Sequence, residues 1–173
     1  HFFSIYPGST FFFSPTWDPK FGGGSTLGIL PLVWGTLYVS VISLIVAVPI
    51  GLFSAIYLAE YASRRVRGIV KPLIEVLAGI PTIVYGLFAL ITVGPLLRDW
   101  IALPMGFGNS SSTVMTAGLV MGIMIIPFVS SLSDDIINAV PQSLRDGSLG
   151  LGATPSETIR QVVIPAALPG IVG

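Results

Sequence analysis

Long runs of apolar residues, separated by short polar stretches, dominate the chain. Residues 21–59 carry no charged side chain, residues 73–97 form a second apolar run, and residues 113–132 form a third. Because about 20 apolar residues are enough to cross a bilayer as a helix, the pattern predicts three membrane spans. The first would begin between residues 27 and 31, and we expect Pro49 to break it before it continues to Ala59.

The first 30 residues follow a different pattern. They combine Phe11-Phe12-Phe13 with three prolines and the glycine run 22–24, and they show no helical period. Aromatic side chains of this kind suit the membrane–water interface, whereas proline and glycine mark loops. We therefore predict an extramembrane loop over residues 1–30 and a membrane domain over residues 31–173.

The composition excludes a soluble protein. Charged residues make up 9% of the chain and hydrophobic residues 53%, whereas soluble domains average about 25% charged residues. The predicted fold class is an all-α, polytopic transmembrane helical bundle with about three complete spans. The net charge is zero, which gives no electrostatic reason to expect nucleic acid as a partner.

Basic residues lie mainly at one end of the predicted spans. Of the eight, four lie between the first and second spans: Arg64, Arg65, Arg67 and Lys71. Two, Arg145 and Arg160, follow the third span, and only Lys20 and Arg98 lie on the opposite side. Short cytoplasmic loops retain Lys and Arg. The stretches after the first and third spans are therefore predicted to be cytoplasmic, and residues 1–30 external.

The polar stretch after the third span predicts a helical hairpin over residues 141–165. Pro141 would begin a first short helix, and Gly150 and Gly152 would end it. The sequence Thr154-Pro155-Ser156-Glu157 is typical of a helix start, with threonine as the cap, proline as the first residue and glutamate closing a capping box. A compact polar hairpin between two apolar segments is suited to meeting another protein.

This hairpin resembles the EAA loop of type I ABC-importer permeases. The motif has Glu-Ala-Ala, three residues, glycine, nine residues and Ile-x-Leu-Pro, and here those positions hold residues 146–148, Gly152 and residues 162–165. Aspartate replaces the glutamate, and glycine and serine replace the alanines. The resemblance implies a MetI-like permease fold whose cytoplasmic loop, residues 134–165, contacts the ATPase. The contact residues that it implies are Leu144, Arg145, Asp146, Gly147, Ser148, Gly152, Ile164 and Pro165.

Four further stretches resemble the permeases of phosphate-specific ABC importers, and the Phe-rich, Trp-Asp-Pro preamble is similar to their C-type subunit. These stretches are residues 11–19, 30–37, 49–62 and 72–86. The resemblance implies about six spans in a bacterial-type plasma membrane, a sister permease, two cytoplasmic ATP-binding subunits and an external phosphate-binding protein. Since the chain begins at His1 and ends at Gly173, we expect an internal fragment that lacks the first span and the last two.

Two alternative functions remain open at this point. An importer of the same architecture would carry another oxyanion, such as molybdate, sulfate or phosphonate. A channel or secondary carrier would work without an ATPase, but it would have no reason to carry a capped docking hairpin. Neither of the two lysines, Lys20 and Lys71, follows a glycine as in a Walker A loop. ATP hydrolysis is therefore expected to belong to a partner, and the chain is not expected to be an enzyme.

Glu75 is the one carboxylate within a predicted span. We favour an ion pair with Lys71, one helical turn earlier, over a role in the translocation pathway. Residues 79–81, Gly-Ile-Pro, predict a helix break near the middle of the second span, so Gly79 and Pro81 join Glu75 as possible pathway residues.

Other polar and small residues are expected to be structural. Asp134 and Asp135 are adjacent, point in different directions on a helix, and are interpreted as a helix cap or solvated charge. One His and no Cys leave no predicted metal site or cofactor. Gly118 with Gly122, and Ala47 with Gly51, have the spacing that lets helices approach closely.

Overall fold

A computed structural model describes residues 7–20, 25–106, 110 and 113–172 of the chain. The first elements are helix α1, Gly8–Phe13, and two antiparallel strands, β1, Trp17–Asp18, and β2, Thr26–Leu27. Helix α2, Leu30–Tyr61, is followed by α3, Arg64–Ala78, and α4, Thr82–Ala102. Helix α5, Val114–Asn138, leads to α6, Gln142–Gly150, and then to α7, which joins Pro155–Thr158, Ile159–Val163 and Ile164–Val172.

Three helices of the described part, α2, α4 and α5, are long and apolar enough to cross a membrane. This confirms the all-α fold class and the number of spans. The third span begins as predicted, but α5 extends beyond residue 132 to Asn138. The extension brings its polar end, with Asp134 and Asp135, next to α3.

The segment before the first span contains regular structure that its sequence did not predict. Residues Gly8–Phe13 form a helix after Pro7, and Thr10 and Phe11 donate their amides to the Pro7 carbonyl at 3.0 and 3.2 Å. The Ile29 amide donates to the Phe11 carbonyl at 2.9 Å. This long-range contact joins α1 to the start of α2, which local sequence pattern does not reveal.

The first span is continuous, contrary to the expected break at Pro49. Pro49 lies inside the helix Leu30–Ile56, which a π-helical turn extends to Tyr61. Ala47 and Gly51 on either side of the proline are buried, and Gly51 lies against Ile126 and Val129 of α5. Contacts with α5 on both sides of Pro49 thus support the helix through the position where a proline removes one hydrogen bond.

The second span lies later in the chain than the predicted 73–97. Helix α3 ends at Ala78, Gly79 caps it with its amide directed to the Glu75 carbonyl at 3.1 Å, and Pro81 precedes α4. A proline disfavours helical backbone in the residue before it, so the helix ends at this point. The prediction that Gly79 and Pro81 lie in the middle of a span was wrong: they lie where α4 begins.

Close packing of small residues holds the first and third spans together. Ser43, Ala47, Gly51 and Ala55 recur every four residues on α2 and are all buried. On α5, a Cβ atom at Gly118 would lie 2.7 Å from the Ile42 Cβ, and one at Gly122 would lie 3.0 Å from that of Val46. The predicted packing role of these glycines is confirmed, and it is reinforced by the Ser43 hydroxyl, which donates to the Gly118 carbonyl at 2.9 Å.

A second group of apolar residues joins the spans to the hairpin. Ala55 of α2, Ile137 of α5, Val140 just after α5, and Val163 and Ala167 of α7 form one buried cluster. The hairpin is therefore packed on the ends of two spans, and its position follows theirs.

The α2–α5 contact predicts that Gly118→Val destabilises the protein, because the added methyl groups have no space beside Ile42. Overpacking of this kind costs about 1–3 kcal/mol. We expect a lower midpoint of thermal unfolding in detergent. The control is Gly35→Val in α2, where an added Cβ meets no atom within 4 Å. Equal midpoints for the two variants would contradict the packing role of Gly118.

Candidate functional site

Helices α6 and α7 form the predicted hairpin, and its turn has the expected backbone. Gly152 has a φ of +92°, in the region that favours glycine, whereas Gly150 is the last residue of α6. The capping box at the start of α7 is present as predicted. The Glu157 amide donates to the Thr154 hydroxyl at 3.3 Å, and the Thr154 amide donates to the Glu157 carboxylate at 2.8 Å. These hydrogen bonds from Thr154, first from its amide and then from its hydroxyl, lower the pKa of Glu157.

The open surface of the hairpin carries both apolar and polar residues. Leu144 and Leu149 are exposed on α6, and Leu151 at the turn is 92% exposed. Asp146 is also exposed, and its carboxylate accepts a hydrogen bond from the Gln142 amide group at 3.0 Å. Gly147, beside it, has no neighbouring atom within 4 Å of an added Cβ. The exposed leucines, Asp146 and Gly147 therefore form an uncovered surface on this chain.

Arg145 is directed inward, toward the ends of the spans. Its Nη1 donates to both carboxylate oxygens of Glu60 at 2.6 and 2.8 Å, and its Nη2 donates to the Ile137 carbonyl at 3.0 Å. The two side chains are only 17% and 11% exposed. The pair links α6 to the ends of α2 and α5. Sequence reasoning did not identify Glu60, although its position directly after the first uncharged run marked it as a charge at the end of a span.

The remaining hairpin residues are divided between its interior and its surface. Ser148 shares a hydrogen bond of 3.0 Å with Thr158, which is buried between α6 and α7. Ile164 is half-buried and Pro165 is exposed, next to the buried Val163. A cavity of about 240 Å³ lies between the hairpin and the end of α2. Its lining comprises Glu60, Gln142, Arg145, Leu149, Pro155, Thr158 and Ile159.

A second ionic group joins α3 to the end of α5. The Asp134 carboxylate accepts from Arg67 Nη2 at 3.0 and 3.1 Å and from Lys71 Nζ at 3.0 Å. Lys71 also donates to Asp135 at 2.6 Å, and Arg67 donates to the Asn138 side chain at 3.1 Å. The hydrogen bonds to Asp135 and Asp134 raise the pKa of Lys71. We refer to these five residues as the Asp134 cluster.

The Asp134 cluster corrects two expectations. Asp134 was interpreted as a cap or solvated charge, but it is 1% exposed, and a buried carboxylate requires partners of this kind. Lys71 was expected to pair with Glu75, but its ammonium is directed at the two aspartates instead. The aspartates lie across from Lys71 on another helix, and one of them is buried, so they interact with it more strongly than an exposed neighbour on the same helix.

The possible pathway residues lie apart from the hairpin. Glu75 is exposed on α3, and within the described residues it makes no ion pair. Gly79 and Pro81 form the connection to α4, which the Tyr85 hydroxyl supports by donating to the Leu77 carbonyl at 3.0 Å. The structure therefore does not bring Glu75, Gly79 and Pro81 together with the exposed side of the hairpin.

Within residues 7–20, 25–106, 110 and 113–172, no group of three or more His, Cys, Asp or Glu side chains is placed to hold a metal ion. The features that the structure offers are an uncovered hairpin surface and two ionic connections between that end of the molecule and its spans. These features suit a contact with another protein and the transmission of movement.

Comparison with known proteins identifies the family. The protein family described as "Binding-protein-dependent transport system inner membrane component" matches residues 47–173. The "Probable ABC transporter permease protein YqgH" of Bacillus subtilis is 36% identical over 90% of this chain and 47% of its own length. The "Phosphate transport system permease protein PstC" of Haemophilus influenzae is 36% identical over 96% of this chain and 56% of its own length. The chain thus spans about half the length of the curated relatives it matches.

Solved structures show the same fold. The inward-facing MetNI methionine ABC transporter aligns with a TM-score of 0.58 at 21% identity, covering 83% of this chain and 66% of that one. An amino acid ABC transporter crystallised with histidines aligns with a TM-score of 0.50 at 23% identity, covering 85% and 68%. The fold, the three apolar spans and the family match agree, and the chain belongs to the family of inner membrane components of binding-protein-dependent transport systems.

Proposed function

We propose that the chain is part of the translocation subunit of an ATP-driven importer of inorganic phosphate. In this proposal a sister permease completes the pathway, cytoplasmic ATP-binding subunits supply the energy, and an external binding protein delivers the anion. The spans would open alternately to the two sides of a bacterial plasma membrane. This chain would bind and guide the anion without chemical change.

The observation that carries the proposal is the hairpin, because it is exposed on one side and anchored on the other. Leu144, Leu149 and Leu151 offer an apolar surface next to Asp146, and such uncovered patches mark contacts with other proteins. The Arg145–Glu60 pair holds α6 to the end of the first span. A force applied to the hairpin by an ATP-binding subunit would therefore reach α2 directly.

The hairpin residues divide into two roles under this proposal. Asp146, Gly147 and the exposed leucines would touch the ATP-binding subunit, with the carboxylate directed at a basic group. Arg145 would position the hairpin from within, and Ser148 would hold its two helices together through Thr158. Gly152 would permit the turn, and Ile164 and Pro165 would connect α7 to the membrane.

Support for phosphate as the transported anion comes from the relatives. Several proteins named "Phosphate transport system permease protein PstC" are 31–37% identical over 95–96% of this chain. Of the sequence stretches that resemble phosphate permeases, residues 11–19 precede α2, two lie in α2, and one covers the α3–α4 connection. We propose that Gly79 and Pro81 form a flexible point at the start of α4, and that Glu75 faces the pathway from α3.

The proposed orientation of the protein in the membrane is tested with single introduced cysteines, since the sequence contains no native cysteine. Met105→Cys, in the exposed turn after α4, should react with a membrane-impermeant maleimide on intact cells. Ser156→Cys, on the exposed side of the hairpin, should react only after the membrane is opened. The protein without either substitution gives the background. The reverse labelling pattern would place the hairpin outside and exclude contact with a cytoplasmic ATPase.

The hairpin turn is tested by Gly152→Val. A side chain at a φ of +92° is strained by about 1 kcal/mol or more. We expect normal membrane insertion but at least a tenfold loss of labelled phosphate uptake, together with reduced copurification of the ATP-binding subunit. Asp146→Lys should have the same effect by reversing the charge at the contact.

The matched control for the turn is Gly150→Val, since Gly150 has ordinary helical backbone and no atom within 4 Å of an added Cβ. Uptake by the unsubstituted protein is measured with excess sulfate and molybdate as competitors. Wild-type behaviour of Gly152→Val and Asp146→Lys would show that the hairpin does not couple ATP hydrolysis to transport. If excess sulfate or molybdate abolishes the uptake of labelled phosphate, that competing oxyanion is the better candidate for the transported anion.

The Arg145–Glu60 pair is tested by charge exchange. Arg145→Glu and Glu60→Arg each leave two like charges in a poorly solvated place, so each should abolish uptake. The double variant restores an ion pair and should recover part of the activity, which two independent defects would not do. Arg160→Glu is the control, because Arg160 is exposed and makes no ion pair within the described residues. Full activity of Arg145→Glu would contradict the anchoring role.

A further inference from the structure

We propose that α3 is an interfacial helix that binds anionic phospholipid headgroups through Arg64 and Arg65. The helix separates its polar and apolar residues along opposite sides. Val66, Ile69, Leu73, Val76 and Leu77 recur at helical spacing, and all are exposed, with Ile69 at 64% and Val76 at 68%. An amphipathic helix with an uncovered apolar side and basic residues is the composition that lies in a membrane surface.

The charges of α3 are not equivalent. Arg67 and Lys71 are neutralised by Asp134 and Asp135. Arg64 and Arg65 are exposed, and neither makes an ion pair within the part of the chain that the structure describes. The helix therefore carries two cations whose counter-charge must come from outside this chain.

The Asp134 cluster also determines which way α3 is turned. Arg67 and Lys71 lie one turn apart on one edge of the helix, and both are held by the same buried carboxylate. Rotation about the helix axis would break both ion pairs. The edge that faces α5 is thus fixed, and Ile69 and Val76 are held away from it.

A shallow groove of about 400 Å³ follows the polar edge of α3. It begins at Arg64 and ends at Glu75, and its other lining residues are Arg67, Gly68, Lys71 and Pro72. The guanidinium of Arg64 stands at the end distant from the Glu75 carboxylate. A phosphodiester would therefore bind at the Arg64 end of the groove, where arginine donates paired hydrogen bonds to phosphate oxygens.

The place of α3 in the chain favours lipid as the occupant. Ser63 caps α3 two residues after the first span ends at Tyr61, and Pro81 joins α3 to the second span at Thr82. Helix α3 therefore connects the same end of two spans, at the level of the headgroups. A bilayer offers an apolar layer beneath a layer of phosphate, which matches an apolar stripe on one side of the helix, Arg65 beside it and Arg64 on the polar edge. A second permease subunit covering the stripe is the alternative outcome of the test.

The test uses the assembled transporter in nanodiscs of phosphatidylcholine and phosphatidylglycerol. Native mass spectrometry after gentle detergent release measures the enrichment of bound phosphatidylglycerol over the bulk ratio. Since each basic residue near an anionic surface contributes about fivefold in affinity, Arg64→Gln/Arg65→Gln should weaken binding about tenfold or more. Arg64→Lys/Arg65→Lys keeps the charge and should retain most of the enrichment.

The control Lys20→Gln/Arg98→Gln removes the same charge where each cation already pairs with an aspartate, and it should leave the enrichment unchanged. Excess inorganic phosphate should not displace the lipid. A spin label at Ile69→Cys should collide with oxygen far more often than with a nickel chelate. Unchanged enrichment in Arg64→Gln/Arg65→Gln overturns the proposal, and so does a label shielded from both reagents, which would indicate a covering protein. None of these outcomes depends on which anion is transported.

Discussion

The close contact between α2 and α5 is the constraint on which the rest of the structure depends. In a bilayer, apolar side chains gain little by meeting each other rather than lipid, so helices associate where their backbones approach closely. Gly118 and Gly122 allow this approach, and the Ser43 hydroxyl adds a hydrogen bond across it. Once α2 and α5 are fixed, their ends present Glu60, Asp134 and Ile137 side by side. The two ionic connections and the position of the hairpin follow from that arrangement.

The two ionic connections hold two different helices at the hairpin end of the molecule. Glu60 receives Arg145 and holds α6, whereas Asp134 receives Arg67 and Lys71 and holds α3. Both carboxylates belong to spans, whereas their cations belong to α6 and α3, which lie outside the three candidate spans. Loss or misplacement of one partner would leave a charge unsatisfied in a poorly solvated place, so these pairs impose orientation. The polar helices are thus positioned by the spans with little freedom to rotate.

The structural features that depend on neighbouring residues could be predicted from the sequence. The capping box at Thr154 and Glu157 and the turn at Gly152 were predicted residue by residue, because their chemistry lies within a few neighbouring residues. The glycines of α5 were predicted because small residues one turn apart have one evident use in a membrane. The number of spans followed from length and hydropathy alone.

The errors share a different cause, which is distance along the chain. Lys71 was assigned to Glu75 because Glu75 was the nearest carboxylate in sequence, but its partners are 63 and 64 residues away. Asp134 was expected in solvent because no sequence pattern shows that α3 covers it. The break at Gly79 and Pro81 was recognised but misplaced, since the apolar side of α3 extends the hydrophobic run beyond the span. Glu60 was missed because its partner, Arg145, lies 85 residues away.

The separation between Asp134 and its cations also has a consequence for biogenesis. Arg67 and Lys71 are synthesised well before Asp134, so they face the insertion machinery as bare positive charges while the second span enters the membrane. Positive charge flanking a span keeps that flank on the cytoplasmic side. Asp134 and Asp135 neutralise the two residues only after the third span has been synthesised. Arg67 and Lys71 can thus serve first as orienting charges and afterwards as joints between helices, whereas Arg64 and Arg65 stay exposed in the folded protein.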